Sequence, residues 1–134
     1  MKTIWLSSYP KSGNTWISSF LYYYFFGVPN NLSEVMSKIP DIHELSANNQ
    51  KLDENSDHNV ICKSHFLYSN LHPHVKTTSG FIYLMRHPKD ILLSTLNFYK
   101  LLDPETDFDE YQYSNFFIEN GGDMNWVNLT LDRK

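Results

Sequence analysis

Residues Thr3 to Trp16 read TIWLSSYPKSGNTW, a short apolar run followed by a polar loop. The apolar run predicts a β-strand at Thr3 to Ser8, and the aromatic segment Trp16 to Phe26 predicts a helix. Tyr9 to Thr15 is then the loop between them. A loop of this kind directs backbone N–H groups and the positive end of the helix dipole at one point. The stretch therefore predicts an anion-binding site.

The order of residues in this loop differs from that of nucleotide triphosphatases. Their phosphate loop places its lysine directly after the last glycine, whereas here Lys11 precedes Gly13, the only glycine of the loop. Gly13 lets the backbone approach a ligand closely, and Lys11 adds a full positive charge. Further side-chain donors follow at Ser12, Asn14 and Thr15. The alternative interpretation is an ordinary strand–helix turn with a surface lysine.

Short apolar segments alternate with helical ones along the rest of the chain. Two further strands are predicted at Val60 to Lys63 and Phe81 to Met85. Helices are predicted in Leu32 to Leu45, broken near Pro40, at Pro88 to Leu102 and at Phe108 to Asn120, with irregular segments at Ser46 to Asn59 and Ser69 to Gly80. This alternation predicts an α/β fold, a three-layer, P-loop-like parallel sheet flanked by helices. We expect Trp16 to Phe26, apolar nearly all round, to be buried on most sides.

The composition favours one globular domain, or part of one. Of the 134 residues, 41% are hydrophobic and 16% aromatic, which excludes a disordered chain. The net charge of −4 gives no general attraction to nucleic acid. Trp16 to Val28 is too short to span a bilayer, so we expect no membrane insertion. The single cysteine, Cys62, excludes an intramolecular disulfide and fits a reducing compartment, from which we expect a cytoplasmic protein.

The carboxyl ends of the three predicted strands all carry cations, and ligands of α/β sheets bind at those ends. Lys63 closes the second strand and His65 follows it as a candidate general base, or as a histidine satisfied by a local hydrogen bond. Arg86 follows the third strand, with Ser94 in the next helix, as a phosphate-binding pair or as an ion pair beside a packing residue. No metal site is predicted at His72 to His74, because no cysteine or carboxylate lies at ligand spacing.

Together, the three segments resemble the sulfotransferase family that uses 3′-phosphoadenosine 5′-phosphosulfate (PAPS). Tyr9 to Trp16 is similar to the family's 5′-phosphosulfate loop, and Lys63 to His65 to its segment with the catalytic histidine. Tyr83 to Ser94 is similar to its 3′-phosphate segment. Asn14 stands where many members have threonine, and His87 replaces the more frequent asparagine or aspartate. The three segments also occur in the family's order.

The resemblance implies transfer of a sulfuryl group from PAPS to an acceptor hydroxyl or amine on a small molecule or a glycan, without a metal. It implies that His65 is the general base, and that Lys11 and Lys63 stabilise charge at the transferred group. The residues implied in binding the donor are Lys11, Ser12, Gly13, Asn14, Thr15 and Trp16 at the 5′ end, and Arg86 and Ser94 at the 3′-phosphate.

The resemblance covers about Thr3 to Trp126, the N-terminal half of the family domain. The family's second half holds an Arg-Lys-Gly loop on the 3′-phosphate, and nothing here matches it, since Arg133-Lys134 has no following glycine. We therefore expect residues 1–134 to be the N-terminal part of a single sulfotransferase domain, truncated before that loop, with weak or no activity alone. The alternatives are an inactive or partner-dependent fragment that binds PAPS or its desulfated form, and a P-loop kinase or triphosphatase.

Overall fold

The computed structural model describes residues 2–52, 58–66, 74–102, 104 and 108–122. The chain divides into two compact units, Met1–Met85 and Arg86–Lys134. The elements of the first unit are β1 (Thr3–Ser8), α1 (Asn14–Phe26), α2 (Leu32–Lys38), α3 (Ile42–Ala47), β2 (Val60–Ser64), a 3₁₀ turn (Val75–Thr77) and β3 (Thr78–Leu84). Those of the second unit are α4 (Pro88–Leu102) and α5 (Glu110–Glu119).

The three strands form one parallel sheet in the order β2-β1-β3. In the central strand, Leu6 lies opposite Lys63 of β2 and Ile82 of β3. Because all three strands run in the same direction, their carboxyl ends lie at one edge of the sheet. The parallel sheet with its helices confirms the predicted α/β class.

Two hydrophobic clusters cover opposite faces of the sheet. Neighbouring residues of a strand point to opposite faces, and Cys62 and Ile61 of β2 belong to different clusters. The members buried with Cys62 are Trp5, Ile42 and Leu52, and those packed on Ile61 are Tyr22, Val35 and Ile39. Helix α3 therefore packs on one face, and α1 with α2 on the other.

Helix α1 begins at Asn14, two residues before the predicted start. Its buried residues are Asn14, Ser18 and Tyr22, which recur every four residues and form one face. The aromatic side chains lie largely elsewhere, with Trp16 70% and Tyr24 72% exposed. The prediction that this helix is buried on most sides is therefore wrong. Two small polar side chains and Tyr22, rather than the other aromatic residues, form the buried face of this helix.

The other differences in the first unit concern the ends of elements. Strand β3 begins at Thr78, so the predicted irregular segment was wrong from Thr78 onward, and residues 69–73 lie outside the described ranges. The Trp5 indole N–H donates to Thr78 Oγ1 at 2.9 Å, a cross-strand bond that extends the pairing beyond the apolar run. The break near Pro40 is confirmed, because α2 ends before it and α3 begins after it. Helix α3 continues to Ala47, beyond the predicted end at Leu45.

In the second unit, α4 has its predicted bounds and is capped by His87. The His87 carbonyl accepts from the N–H groups of Asp90 and Ile91, at 2.9 and 3.1 Å. The His87 Nδ1 accepts from the Lys89 N–H at 3.3 Å. An N-cap side chain normally makes this second bond through an oxygen. A histidine at this position is therefore compatible with helix initiation, although the family that this segment resembles more often has asparagine or aspartate there.

Helix α5 is shorter than predicted but ends where two glycines follow it. Asp109 Oδ1 caps its start by accepting the Gln112 N–H at 2.9 Å. Gly121 and Gly122 have φ of 70° and 144°, and the Gly122 N–H donates to Phe117 O at 2.9 Å. This closure satisfies carbonyls at the end of the helix. None of the helices in the described part of the chain has the length and apolarity needed to cross a bilayer.

Candidate functional site

The loop between β1 and α1 turns sharply through two left-handed residues. Lys11 has a φ of 64° and Gly13 a φ of 100°. The Ser12 N–H donates to Tyr9 O at 3.2 Å, and the Ile17 N–H donates to Gly13 O at 3.1 Å, which starts the helix. A Cβ at Gly13 would meet nothing within 4 Å, so the glycine is required by its backbone conformation.

The start of α1 offers polar groups to a ligand. No side chain caps this helix end, and the first N–H groups of a helix have no partner within the helix itself. The Ser12 Oγ is buried and has no hydrogen-bond partner among the described residues. Helix N–H groups, the dipole and an unsatisfied hydroxyl together suit an anionic group such as a phosphate. The residues present therefore fit the anion that the sequence predicts here.

Asn14 joins the carboxyl ends of two strands. Its buried Nδ2 lies 3.2 Å from Leu6 O, 3.1 Å from Ser8 Oγ and 3.3 Å from Ser64 O. The two carbonyls only accept, so the amide nitrogen must face them. The side-chain amide thus holds β1, β2 and α1 together and is turned toward the strands. A direct contact between this side chain and a ligand stays a prediction.

His65 follows β2 directly and is bonded to the end of β1. Its Nδ1 lies 2.8 Å from the Ser8 carbonyl oxygen and 3.4 Å from Ser8 Oγ. Because a carbonyl only accepts, Nδ1 carries the proton when the ring is neutral. Nε2 is then the basic nitrogen. In a histidine that acts as a base, a hydrogen bond from one ring nitrogen commonly fixes the tautomer and leaves the other nitrogen unprotonated.

The surroundings of His65 favour its neutral form. Burial is the main effect that lowers its pKa below the ordinary value, and the nearby charge of Lys63 also lowers it. The hydrogen bond to Ser8 and the charge of Asp41 oppose this shift without reversing it. A histidine with a lowered pKa is deprotonated at neutral pH, which is the state a general base requires.

This lowered pKa predicts that acid destabilises the fold. Between the folded and unfolded pKa values of His65, the unfolded chain binds more protons, so the free energy of unfolding decreases as the pH is lowered. We expect the free energy of unfolding to be insensitive to His65 above about pH 6.5 and to decrease below it. Urea unfolding across this range would show a smaller decrease in His65→Asn than in the wild type. Equal pH dependence in both proteins would contradict the prediction.

Lys63 forms an ion pair with Asp41 at the edge of the sheet. Lys63 Nζ lies 2.8 Å from Asp41 Oδ2, and the Lys63 N–H donates to Pro40 O at 2.8 Å. Asp41 Oδ1 also accepts the His43 N–H at 2.8 Å and so caps α3. Burial disfavours ionisation of Asp41, but Lys63 and the His43 N–H outweigh it and lower the pKa of the carboxyl. Action of Lys63 on a transferred group stays a prediction.

Loss of the Asp41 carboxylate is expected to destabilise the protein. Asp41→Ala removes the cap of α3 and the partner of Lys63, whose side chain is only 21% exposed. We expect a loss of about 2 kcal/mol in the free energy of unfolding, measured with urea. Asp41→Asn keeps a capping oxygen and should lose less, while Glu44→Gln in the same helix serves as the exposed control. No difference between Asp41→Ala and Glu44→Gln would contradict this role.

The comparison with known families settles which class of protein has this site. The chain matches the sulfotransferase domain family over residues 1–129. The chain belongs to the sulfotransferase family. This confirms the family resemblance and supports sulfuryl transfer, a transferase reaction, as its general activity. A search among curated proteins gives no match.

In this sulfotransferase, the predicted 3′-phosphate residues belong to the second unit. Arg86 is exposed and lies two residues after β3, and Ser94 is half-buried in α4. Binding of the 3′-phosphate by these two residues stays a prediction. Trp16, predicted to lie near the adenine, stacks on Phe20 with ring centroids 6.0 Å apart and planes 9° apart.

A cavity of about 130 Å³ lies on the face of the sheet that carries α1 and α2. Thr15 of α1 and Lys63 of β2 contribute polar groups to its lining, and Val35 and Met36 of α2 contribute apolar surface. This cavity therefore adjoins both the end of the predicted anion-binding loop, at Thr15, and the segment Lys63 to His65, which carries the candidate base.

Other candidate groups of the sulfotransferase contribute little. Burial raises the pKa of the Cys62 thiol to about 12, so it stays protonated and is a poor nucleophile at neutral pH. His72 and Pro73 of the His-Pro-His segment lie outside the described residues. In the described ranges, no three side chains of histidine, cysteine, aspartate or glutamate are grouped so as to hold a metal ion.

Two residues of the site were missed by the sequence reasoning, Asp41 and His43. The Nε2 of His43 lies 3.2 Å from the His65 backbone nitrogen, and the two rings stack with centroids 5.6 Å apart. A capping aspartate after Pro40 was a visible helix-start signal. Nothing in the local sequence indicated that this helix start lies beside β2.

Proposed function

We propose that the protein transfers a sulfuryl group from PAPS to an acceptor hydroxyl or amine. The observation that carries this proposal is the bond between His65 Nδ1 and the Ser8 carbonyl, 2.8 Å long. It leaves Nε2 as the unprotonated nitrogen of the neutral ring and supports His65 as a base near the carboxyl end of β1, where the loop between β1 and α1 begins. The base is bonded to the last residue of β1, and the anion-binding loop follows that residue. A base and an anion site placed in this way suit transfer of an anionic group to a hydroxyl.

In the proposed reaction, His65 Nε2 removes the proton of the acceptor. The acceptor oxygen or nitrogen forms a bond to sulfur, and the bond from sulfur to the bridging oxygen of the 5′-phosphate breaks. The bonding electrons stay on that oxygen, and 3′-phosphoadenosine 5′-phosphate (PAP) leaves. Lys11 stabilises the negative charge that grows on this oxygen, and a base in the position of His65 contributes about 10²–10⁴-fold in rate.

The donor would be held at its two anionic ends. The Ser12 hydroxyl, which is buried without a partner among the described residues, would donate to the 5′-phosphosulfate together with the N–H groups that begin α1. Arg86 would bind the 3′-phosphate through two parallel hydrogen bonds, assisted by Ser94. Trp16, 70% exposed, would offer its ring to the adenine.

The acceptor would enter through the cavity between Thr15 and Lys63. Its apolar wall at Val35 and Met36 and its volume of about 130 Å³ suit part of a small molecule or one sugar ring better than an extended polymer. We infer a small-molecule or glycan acceptor, and no nucleic acid, from this cavity and from the net charge of −4.

Ligand binding tests the donor assignment. PAP and ADP both carry two phosphate groups on adenosine, but only PAP has one at the 3′ position. We expect calorimetry to give at least about tenfold tighter binding of PAP than of ADP or ATP, which corresponds to roughly 1.4 kcal/mol. Tighter binding of ATP would favour a nucleotide kinase or triphosphatase instead and would overturn the proposal.

Arg86→Gln should remove much of the preference for PAP over adenosine 5′-monophosphate. A charge-assisted bond contributes about 1.5–3 kcal/mol, so the ratio of the two dissociation constants should change by roughly 10–100-fold. Lys89→Gln, three residues along the chain and also exposed, is the matched control for loss of one positive charge. An equal change in both variants would show a general effect of charge and not recognition by Arg86.

A further inference from the structure

His43 lies against the candidate base through its ring and through one hydrogen bond. Its Nε2 accepts the backbone N–H of His65 at 3.2 Å. The rings of His43 and His65 are 29° from parallel, with centroids 5.6 Å apart. Phe66 also contacts the His43 ring, at 4.6 Å between centroids. His43 is thereby fixed between the two residues that follow β2.

The hydrogen bond from His65 continues a pattern that begins within β2. Alternate N–H groups of a strand point to the same side, so those of Lys63 and His65 both face away from β1. The Lys63 N–H donates to Pro40 O at 2.8 Å, because the chain at Asp41 pairs with β2 as a short bridge. The next N–H group that faces away from β1 is that of His65. Its acceptor is the His43 ring nitrogen rather than a backbone carbonyl.

This arrangement requires a neutral His43. A backbone N–H only donates, so the Nε2 that accepts it carries no proton. The first turn of α3 is held at the sheet edge by Asp41, which accepts the His43 N–H and forms the ion pair with Lys63. Helix α3, the ion pair and the ring therefore act on one short segment of backbone, the one that carries His65.

We propose that His43 is a positioning residue for sulfuryl transfer, which holds the His65 backbone so that its Nδ1 stays on the Ser8 carbonyl. This inference rests on the proposed function only in assigning His65 as the base. His43 touches neither the donor nor the acceptor in this scheme. It acts through the orientation of His65, and hence through the fraction of molecules in which Nε2 is unprotonated and ready to accept.

The hydrogen bond itself can be tested in the wild-type protein. With ¹⁵N-labelled protein, we expect a scalar coupling across the hydrogen bond between the His65 amide nitrogen and His43 Nε2. The side-chain spectrum should also show His65 protonated at Nδ1. Absence of the coupling would overturn the proposal without any variant. Since no donor is added, this result is independent of whether PAP binds.

Two variants separate positioning from simple support of the fold. His43→Gln offers an acceptor of similar reach and should keep the Nδ1-protonated form of His65. His43→Phe keeps the ring but loses the acceptor, and a net hydrogen bond of about 1 kcal/mol predicts roughly a fivefold larger share of the other His65 tautomer. In turnover assays, kcat of His43→Phe should fall in proportion to the measured loss of the Nδ1-protonated form of His65, with the KM for PAPS unchanged.

Leu45→Ala is the matched structural control, because it removes packing from the same helix and leaves the acceptor in place. It should lower the stability and leave the His65 tautomer as in the wild type. Equal tautomer ratios in His43→Phe and the wild type, or an equal loss in His43→Gln and His43→Phe, would overturn the positioning role. Failure of the wild-type protein to bind PAP would instead overturn the proposed function and leave the hydrogen bond between His43 and His65 unaffected.

Discussion

His65→Asn in the full-length domain is expected to lower kcat for sulfuryl transfer from PAPS by about 10²–10⁴-fold, the contribution of a general base. The asparagine amide nitrogen can still donate to the Ser8 carbonyl that His65 Nδ1 now contacts at 2.8 Å. It has no basic nitrogen to replace Nε2. The change therefore removes the base and keeps the link between the ends of β1 and β2. Affinity for PAP should change little, because the proposed donor contacts lie in other residues.

Three comparisons make this result specific. His65→Ala loses both the base and the Ser8 bond, and should match His65→Asn in kcat while being less stable. His58→Asn changes an exposed histidine just before β2 and should behave as the wild type. Single-turnover rates with bound PAPS exclude an effect of slow product release. Turnover of His65→Asn close to that of the wild type would mean that another group takes the acceptor proton.

Much of the fold follows from the sequence where one signal dominates. The six-residue run of β1 and the proline-initiated helix α4 have their predicted bounds, because apolar runs and helix starts are local properties. The start of β3 was missed because Thr78 joins the strand through pairing with β1 and the Trp5 bond, which are contacts between distant residues. Strand pairing overrides the weak propensity of a polar segment.

The burial of α1 was predicted wrongly for a different reason. Apolar character indicates which residues gain from burial, but a protein surface also retains much apolar area. The Asn14 amide, with three acceptors from β1 and β2, determines which side of α1 meets the sheet. Ser18 and Tyr22 follow it on that side, one helical turn apart. The aromatic side chains then project largely from the other sides.

The candidate site likewise contains residues that local motifs predict and residues that only long-range contacts identify. Lys11, Gly13 and His65 are predicted as candidates from the sequence alone, because the loop and the strand end are short motifs with a fixed spacing. Asp41 and His43 are not, because their contacts with Lys63 and His65 join residues 22 positions apart. A single sequence carries no signal for such pairs beyond the general rule that a capping residue begins a helix. Motifs thus indicate the candidate reacting groups, while the residues that contact and support them are identified only in the structure.

Lys11→Met is the second change with a large expected effect. We expect kcat to fall by about 10²–10³-fold, as when one preorganised group that stabilises transition-state charge is removed. The charge on the bridging oxygen grows as its bond to sulfur breaks, so Lys11 should matter more in the transition state than in the bound donor. The affinity for PAPS should accordingly fall much less than kcat, and single-turnover rates would separate the two effects.

The backbone at Lys11 makes a second variant necessary. Its φ of 64° is left-handed, a conformation that costs a non-glycine residue roughly 1–2 kcal/mol. Lys11→Gly should therefore stabilise the loop while it removes the same charge, and Lys38→Met serves as the control for charge elsewhere on the surface. If charge is the cause, Lys11→Gly and Lys11→Met lose kcat equally, although only Lys11→Gly stabilises the loop. A loss confined to PAPS affinity in both would instead make Lys11 a residue of donor binding alone.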